Sequence, residues 1–385
     1  MAGLSDLIAE FLLSTIGEDD QITISRNSLA EHFACAPSQI NYVLSTRFNS
    51  DTGYIVESKR GGSGYITLIK LSSDRADYLR EIIDEVKKAV IGKDKIIIKI
   101  LLAILAKGHI LIEDIPGVGK TTVALSFSKS LSLDYNRVQF TPDVLPTDIT
   151  GFTVYNKHSG SFEFKPGASM CNLLLADEIN RTSSKTQSAL LEIMEEGRVT
   201  VDGTTHALPK PFIVMATQNP IGSVGTQELP ESQLDRFMIK ISMGYPDLPS
   251  EVEILKVKSN YNPLEYISAV ADAETLVSLQ KVTENIHVDD KIYIYVANLV
   301  EATRKHPMIK LGISTRGALA LMAISKSTAL LKGRDYVIPD DIAYMYKDVF
   351  AHRLILSSNA KINNMTPEQI LDEIFRSVRQ PEMSV

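Results

Sequence analysis

The 385-residue sequence predicts an α/β fold with a helical C-terminal part, preceded by a small α+β module, and three observations carry that prediction. Short apolar runs that suit buried parallel strands alternate with helical segments between Ile110 and Ile241. One run leads through Pro116-Gly117-Val118-Gly119-Lys120-Thr121 into a helix, the pattern of a phosphate-binding loop. Residues before Leu71 have a different texture: helix, turn, helix, then two alternating segments, which spells a winged helix-turn-helix.

His109-Ile110-Leu111-Ile112 is the strand that feeds the loop. Gly117 and Gly119 let the following backbone turn tightly enough to aim its amides at phosphate oxygens. Lys120 then reaches the β and γ phosphates, and Thr121 opens the next helix, where its hydroxyl can hold Mg²⁺. The expected nucleotide contacts are Pro116, Gly117, Val118, Gly119, Lys120, Thr121 and Thr122. One position departs from G-x-x-x-x-G-K-T: the first glycine is Asp114. It precedes the amides that touch phosphate, so altered loop packing is expected rather than lost binding.

The second element is Leu173-Leu174-Leu175-Ala176, an apolar strand ending in Asp177-Glu178. Adjacent carboxylates at a strand's C-terminal end divide the labour of hydrolysis: Asp177 supports Mg²⁺, and Glu178 orients and deprotonates the attacking water. Such a pair alone also reads as solvated charge; the upstream loop is what turns it into a site. Phe212 to Thr217 is a further buried strand, delivering Gln218-Asn219-Pro220.

From Asp74 onward the chain resembles the MoxR family of AAA+ ATPases. The specific pieces are Gln139-Phe140-Thr141-Pro142-Asp143, Ala176 to Arg181, Lys185 to Leu191, and Leu229-Pro230-Glu231-Ser232-Gln233-Leu234-Asp235-Arg236-Phe237. The resemblance implies an AAA+ P-loop ATPase core with an α-helical lid, and it assigns roles residue by residue. Asn219 falls where the family has its sensor-1 polar residue, which positions the lytic water; a plain Asn-Pro turn is the other reading. Arg236 matches the arginine finger that reaches a neighbouring subunit's γ-phosphate, with a surface pair to Asp235 as the alternative. Gly312 to Arg316 resembles the sensor-2 segment, Ser314 capping a helix and Arg316 pointing back to phosphate from the lid. Arg181 is a lesser candidate for a contact in trans. Gly151 to Gly167 carries a hairpin signature and resembles the clade's helix-2 insertion, which either touches a substrate or partner or only packs on the ring surface. A homo-oligomer, a hexameric ring, follows from the same resemblance. So does a client or a von Willebrand factor A-type partner, which has to be a separate chain because no Asp-x-Ser-x-Ser metal site occurs here.

In the N-terminal module, Leu4 to Ile16 is amphipathic, a short helix lies near Asn27 to Phe33, and Ser38 to Phe48 reads as a recognition helix. Tyr54 to Ser58 and Tyr65 to Ile69 form the wing around Lys59-Arg60-Gly61-Gly62-Ser63-Gly64. Ser38, Gln39, Asn41 and Tyr42 would face base edges of double-stranded DNA, and Arg47, Lys59 and Arg60 its phosphates, with Gly61 and Gly62 letting the wing approach closely. Pro37 to Val43, Thr46-Arg47-Phe48 and Gly53 to Gly62 resemble the N-terminal DNA-binding region of the CtsR class-three heat-shock repressors. Charge tempers this. From Leu4 to Leu71, Arg26, Arg47, Lys59, Arg60 and Lys70 stand against Asp6, Glu10, Glu18, Asp19, Asp20, Glu31, Asp51 and Glu57, so a protein-binding winged helix remains the rival reading.

The expected domains are 1–71, 74–245 and 246–385, with Leu71-Ser72-Ser73 as linker and the turn-rich Tyr245 to Pro249 before the lid. The hydrophobic fraction of 44% allows proper cores, and a net charge of −7 excludes a polybasic nucleic-acid coat. The two cysteines and seven histidines show no metal-ligand spacing, which fits a reducing cytoplasm. Asp6 and Glu10 interrupt the apolar start, against a signal peptide, and Lys99, Lys107 and Glu113 break the stretch from Ile96 to Ile112, against a membrane span. The sequence thus points to a cytoplasmic, Mg²⁺-dependent ATPase of the MoxR type that remodels or matures a partner protein and is tethered to DNA. The alternative is a transcriptional regulator in which ATP switches assembly on DNA and hydrolysis only resets it.

Overall fold

The structure, a computed structural model, describes residues 4–16, 21–48, 54–58, 65–70, 75–115, 117–219 and 229–382. The N-terminal module runs α1 (Leu4–Ile16), β1 (Gln21–Ser25), α2 (Arg26–His32), α3 (Pro37–Arg47), β2 (Tyr54–Ser58) and β3 (Tyr65–Lys70). Pro37 opens α3 at a first-turn position, where its missing N–H costs nothing. The two wing strands pair antiparallel, and β1, which local pattern did not reveal, adds to β3 to complete a three-stranded sheet. Ile8, Leu12, Leu29, Ile40, Val43, Leu44, Phe48, Ile66 and Leu68 form the module's own core.

After α4 (Arg75–Lys87) and α5 (Asp94–Leu105) come β4 (Ile110–Glu113), α6 (Lys120–Ser130), β5 (Tyr135–Gln139), α7 (Pro146–Thr150), the hairpin β6 (Gly151–Asn156) and β7 (Ser161–Pro166), and β8 (Leu173–Asp177). Then follow α8 (Ser184–Glu196), the hairpin β9 (Arg198–Val201) and β10 (Thr204–Ala207), β11 (Ile213–Gln218), α9 (Glu231–Leu234) and β12 (Ile239–Ile241). Five strands form one parallel sheet in the order β12-β4-β11-β8-β5. Both faces are buried, which explains the unbroken apolar runs. Ile110, Ile112, Leu173, Leu175, Ile213 and Met215 point into one core with α4 to α6, while Leu111, Leu174, Ala176, Val214 and Ala216 point into the other with α8. Because the strands are parallel, the ends of β4, β8 and β11 meet along one edge, where α/β sheets place their ligands.

The C-terminal part is built from α10 (Leu248–Asn260), α11 (Ala273–Glu284), α12 (Asp290–Lys305), β13 (Ile309–Leu311), α13 (Thr315–Leu331), α14 (Pro339–Phe350), β14 (Ile355–Leu356), α15 (Ser358–Ile362) and α16 (Pro367–Ser377). Its apolar faces merge with the core of α4 and α5, so the lid shares one hydrophobic cluster with the sheet's first face. Lys99 on α5 and Asp348 on α14 form an ion pair at 2.7 Å across that junction. Among the described residues no helix is long and apolar enough to cross a membrane.

Candidate nucleotide site and recognition helix

The loop between β4 and α6 has the backbone that a phosphate cradle demands. Gly117 and Gly119 take φ of 88° and 95°, a region that side-chain-bearing residues avoid. A Cβ on Gly117 would meet nothing within 4 Å, and one on Gly119 only the Met243 methyl at 3.9 Å, so the inside of the turn is open. Lys120 is buried at the start of α6, with Nζ donating to the carbonyl of Asp114 at 2.7 Å. Burial lowers its ammonium pKa, opposed by the charges of Asp177, Asp114 and Glu178, which places the lysine and the acidic pair in one electrostatic neighbourhood. Thr121 and Thr122 are half-buried on the first turn. Pro116 lies outside the described residues.

Asp177 ends β8 with both oxygens occupied. Oδ1 accepts from the Thr217 hydroxyl at 2.6 Å and Oδ2 from Arg137 at 2.7 Å. Glu178 takes a left-handed backbone, φ 57° and ψ 47°, an uncommon conformation for such a residue and one that concentrates at functional sites. Its amide donates to the Thr217 hydroxyl at 2.9 Å. Oε1 accepts from Asn219 at 3.0 Å, and Oε2 from Arg181 at 2.8 Å and Gln139 at 2.9 Å. Burial raises the carboxyl pKa, but the bonds from Arg181 and Asn219 outweigh it and hold the group below its usual range. Asn219 also keeps a buried Oδ1 that has no partner, an acceptor available to a ligand or water. Lys120, Thr121, Asp177, Glu178 and Asn219 therefore converge at one edge of the sheet. Arg137, Gln139 and Thr217, which the sequence reading did not single out as site residues, hold the pair from neighbouring strands. Arg181 lies in the same cluster, on Glu178 of its own chain.

Arg236 and Arg316 lie elsewhere. Met238 donates its N–H to the carbonyl of His109 at 2.8 Å, so the segment carrying Arg236 is level with the start of β4, at the opposite end from the loop. Arg236 Nη1 donates to the Leu191 carbonyl at 2.6 Å and stands 3.1 Å from Glu195, not on Asp235. Arg316 pairs with the same Glu195, its other nitrogen 4.0 Å from Asp235. Both line a cavity of about 370 Å³ with His109, Leu319 and Arg353. Arg316, expected to point to phosphate from the lid, is brought by α13 to the amino ends of the strands, away from the loop of its own chain. Ser314 does cap α13, accepting from Gly317 at 3.2 Å, and its hydroxyl donates to Asp235 at 3.1 Å. Buried Arg353 fixes this corner, donating to Asp235 Oδ1 at 2.8 Å and to the Phe237 carbonyl at 2.7 Å.

The described part of this chain from His109 to Ile239 matches the family model for the ATPase family associated with various cellular activities (AAA), over residues 109–239, and residues 301–374 match the AAA lid domain. The chaperone MoxR1 of Mycobacterium tuberculosis is 39% identical over 80% of this chain and 83% of its own length. The chain belongs to the MoxR family of AAA+ ATPases. Protein YeaC of Bacillus subtilis is 48% identical over 79% of this chain and 95% of its own length. A crystal structure from Cytophaga hutchinsonii, described as an ATPase, superposes with a TM-score of 0.74 at 38% identity, covering 80% of this chain and 96% of that one. Membership in this family implies nucleotide binding and ATPase activity.

Ahead of the MoxR-type region, residues 3–72 match the CtsR N-terminal HTH domain. The transcriptional regulator CtsR of Geobacillus stearothermophilus is 46% identical over 22% of this chain, which spans 59% of that regulator. On α3, Ile40, Val43 and Leu44 face the core while Ser38, Gln39, Asn41 and Tyr42 are exposed, Tyr42 at 61%. Arg47 is exposed too, but pairs with Asp6 of α1 at 2.8 Å. Lys59, Arg60, Gly61 and Gly62, and the linker Leu71 to Ser73, lie outside the described residues.

Proposed function

We propose that this chain is a Mg²⁺-dependent ATPase that converts ATP and water to ADP and phosphate and uses the cycle to remodel a partner protein, with an N-terminal winged helix that binds double-stranded DNA. The observation that carries it is the convergence of Lys120, Asp177, Glu178 and Asn219 around an open glycine turn. That donor set fits the group: an ammonium and backbone amides for phosphate, and a hydroxyl (Thr121) with a carboxylate (Asp177) for a hard divalent ion. Bound Mg²⁺ neutralises charge on the phosphates. Val118 and Thr122 complete the cradle, with Pro116 before it. Glu178, held ionised and aimed by Asn219, takes the proton from the attacking water.

Arg236 and Arg316 supply positive charge to a neighbour's triphosphate, so the working unit is a head-to-tail homo-oligomer, a closed hexameric ring. In support, α10 buries none of its residues and exposes Leu248, Val252 and Leu255 along one stripe, apolar surface suited to a subunit contact. The β6–β7 hairpin presents Tyr155 and Phe162, 5.3 Å apart and exposed, as a contact for the client or a von Willebrand factor A-type partner, while Phe164 anchors it by stacking on His206. The reading divides the chain at 1–71, 74–245 and 246–385 and places it in the cytoplasm.

The test is ATP turnover by purified protein against its own concentration, with and without duplex DNA. Specific activity rising with concentration supports action in trans; a flat response refutes it. The CtsR-like module favours a second reading, an ATP-switched regulator. Glu178→Gln separates the two: a remodeller stalls with ATP bound, whereas a switch stays active on DNA.

A further inference from the structure

We propose that Asp114 is a positioning residue that couples the phosphate loop to the connector leading into the lid. The inference rests on reading residues 117–122 as the triphosphate site. Asp114 stands where the strict loop pattern has glycine, and its buried carboxylate is fully used. Oδ2 accepts from the Ser242 hydroxyl at 2.9 Å and from the amides of Met243 and Gly244 at 2.6 Å each, and Oδ1 accepts from the Ile115 amide at 2.9 Å. Three of these four donors belong to the connector between β12 and α10. Burial pushes the carboxyl pKa up, yet the donors, Gly244 and Ser242 foremost, hold it below its ordinary range, so the group stays charged as long as the connector stays in place.

The same residue touches the chemistry at its other end. Its backbone carbonyl is the acceptor for Lys120 Nζ at 2.7 Å. A lysine that turns to phosphate oxygens gives up that carbonyl, and the residue it releases grips the connector through its side chain. The connector's other polar groups are taken by Lys93, which donates to the carbonyls of Met243 at 2.6 Å, Gly244 at 3.0 Å and Tyr245 at 2.9 Å. Its amides therefore answer to the phosphate loop and its carbonyls to the start of α5. Gly244 takes a φ of 61°, making it the bend through which the lid direction is set. A glycine at 114 keeps the cradle but has no hold on the lid.

The test compares wild type with Asp114→Gly, which restores the loop pattern, and Asp114→Asn, which keeps the shape with one acceptor oxygen. Binding is read with mant-ATP, lid coupling by hydrogen exchange at the Met243 and Gly244 amides with and without Mg²⁺ and ATPγS. In wild type these amides change exchange rate by at least about tenfold on nucleotide addition, the scale of one charge-assisted hydrogen bond. Asp114→Gly binds mant-ATP within about threefold of wild type, loses the protection in both states and falls at least about tenfold in kcat, with Asp114→Asn between the two. Wild-type kcat in Asp114→Gly overturns the coupling. So does wild-type exchange at these amides that ignores bound nucleotide, a result that needs no variant to fold. A wild type that binds no mant-ATP overturns instead the reading on which the inference rests.

Discussion

Mixing two inactive variants decides whether the arginines act between subunits. Met238 is bonded to the His109 carbonyl, whereas Lys120 rests on the carbonyl of Asp114 beyond the far end of β4. Five residues of extended chain at about 3.3 Å each separate those levels by about 16 Å, further than an arginine side chain spans. Arg236→Ala should therefore lose on the order of 10³ to 10⁵ in turnover, while its own Lys120, Asp177 and Glu178 remain intact. Glu178→Gln is equally inactive but still presents both arginines. In a one-to-one mixture that co-assembles at random, a site is repaired when an Arg236→Ala subunit meets a Glu178→Gln neighbour, which restores about a quarter of wild-type activity for any closed head-to-tail ring. The assay is phosphate release against mixing ratio, with co-assembly checked by pulling one tag and blotting the other. A mixture that co-assembles yet stays at the level of its parents refutes the assignment.

Two further outcomes are expected. Gln39→Ala should weaken binding to a specific duplex by about 1–3 kcal/mol without changing the slope of affinity against salt, whereas removal of a phosphate contact lowers that slope by about one; fluorescence anisotropy across a salt series separates them. The protein should also lose stability in mild acid through His109. Its ring is fully buried, accepting from the Val214 N–H at 3.0 Å and facing the Met194 carbonyl at 3.0 Å, and burial pushes its pKa from 6.5 down to about 4. The unfolded chain takes up a proton that the folded chain refuses, so this contribution is intact above pH 6.5 and declines as pH falls toward 4, by about 2 kcal/mol at pH 5. Urea midpoints at pH 7 and pH 5 measure it, and His109→Gln should flatten the difference.

What the sequence revealed, and what it hid, follows from the range of each interaction. β4, β8 and β11 are legible because burial on both faces writes them as apolar runs, and the loop and acidic pair are legible because their chemistry is contiguous. β5 was not, since Tyr-Asn-Arg-Val-Gln lies at the sheet edge and carries polar residues, yet it supplies Arg137 to Asp177 and Gln139 to Glu178. These contacts join residues some forty positions apart, and nothing local announces them. β1 escaped for the same reason, because only its pairing with β3 defines it. Asp114 was visible as an exception to the loop pattern, but its partners at 242 to 244 follow β12, which lies beside β4 in the sheet yet 128 to 130 positions away along the chain. A helix start fixes a cap, as Ser314 shows, but says nothing about which end of the sheet the helix reaches, so the place of Arg316 beside Glu195 is not legible in the sequence.

Glu195 shows how a residue can matter to turnover while counting for little in stability. It reads in sequence as one more charge on a solvated helix face, yet it meets both Arg236 and Arg316. All three side chains are 30–45% exposed, so each pair stabilises the fold by no more than about 1 kcal/mol. Their use in the proposed ring lies in geometry: α8 (Ser184–Glu196) begins a few residues after Glu178 and carries Glu195 in its last turn, so the helix that leaves one site would set the arginines offered to the next. Glu195→Gln should shift the thermal midpoint by only a few degrees. Turnover in the assembled state should fall at least about tenfold, because a misplaced transition-state contact is lost nearly in full. An enzyme that keeps its kcat with both arginines freed of this carboxylate would show that the neighbouring nucleotide alone orders them.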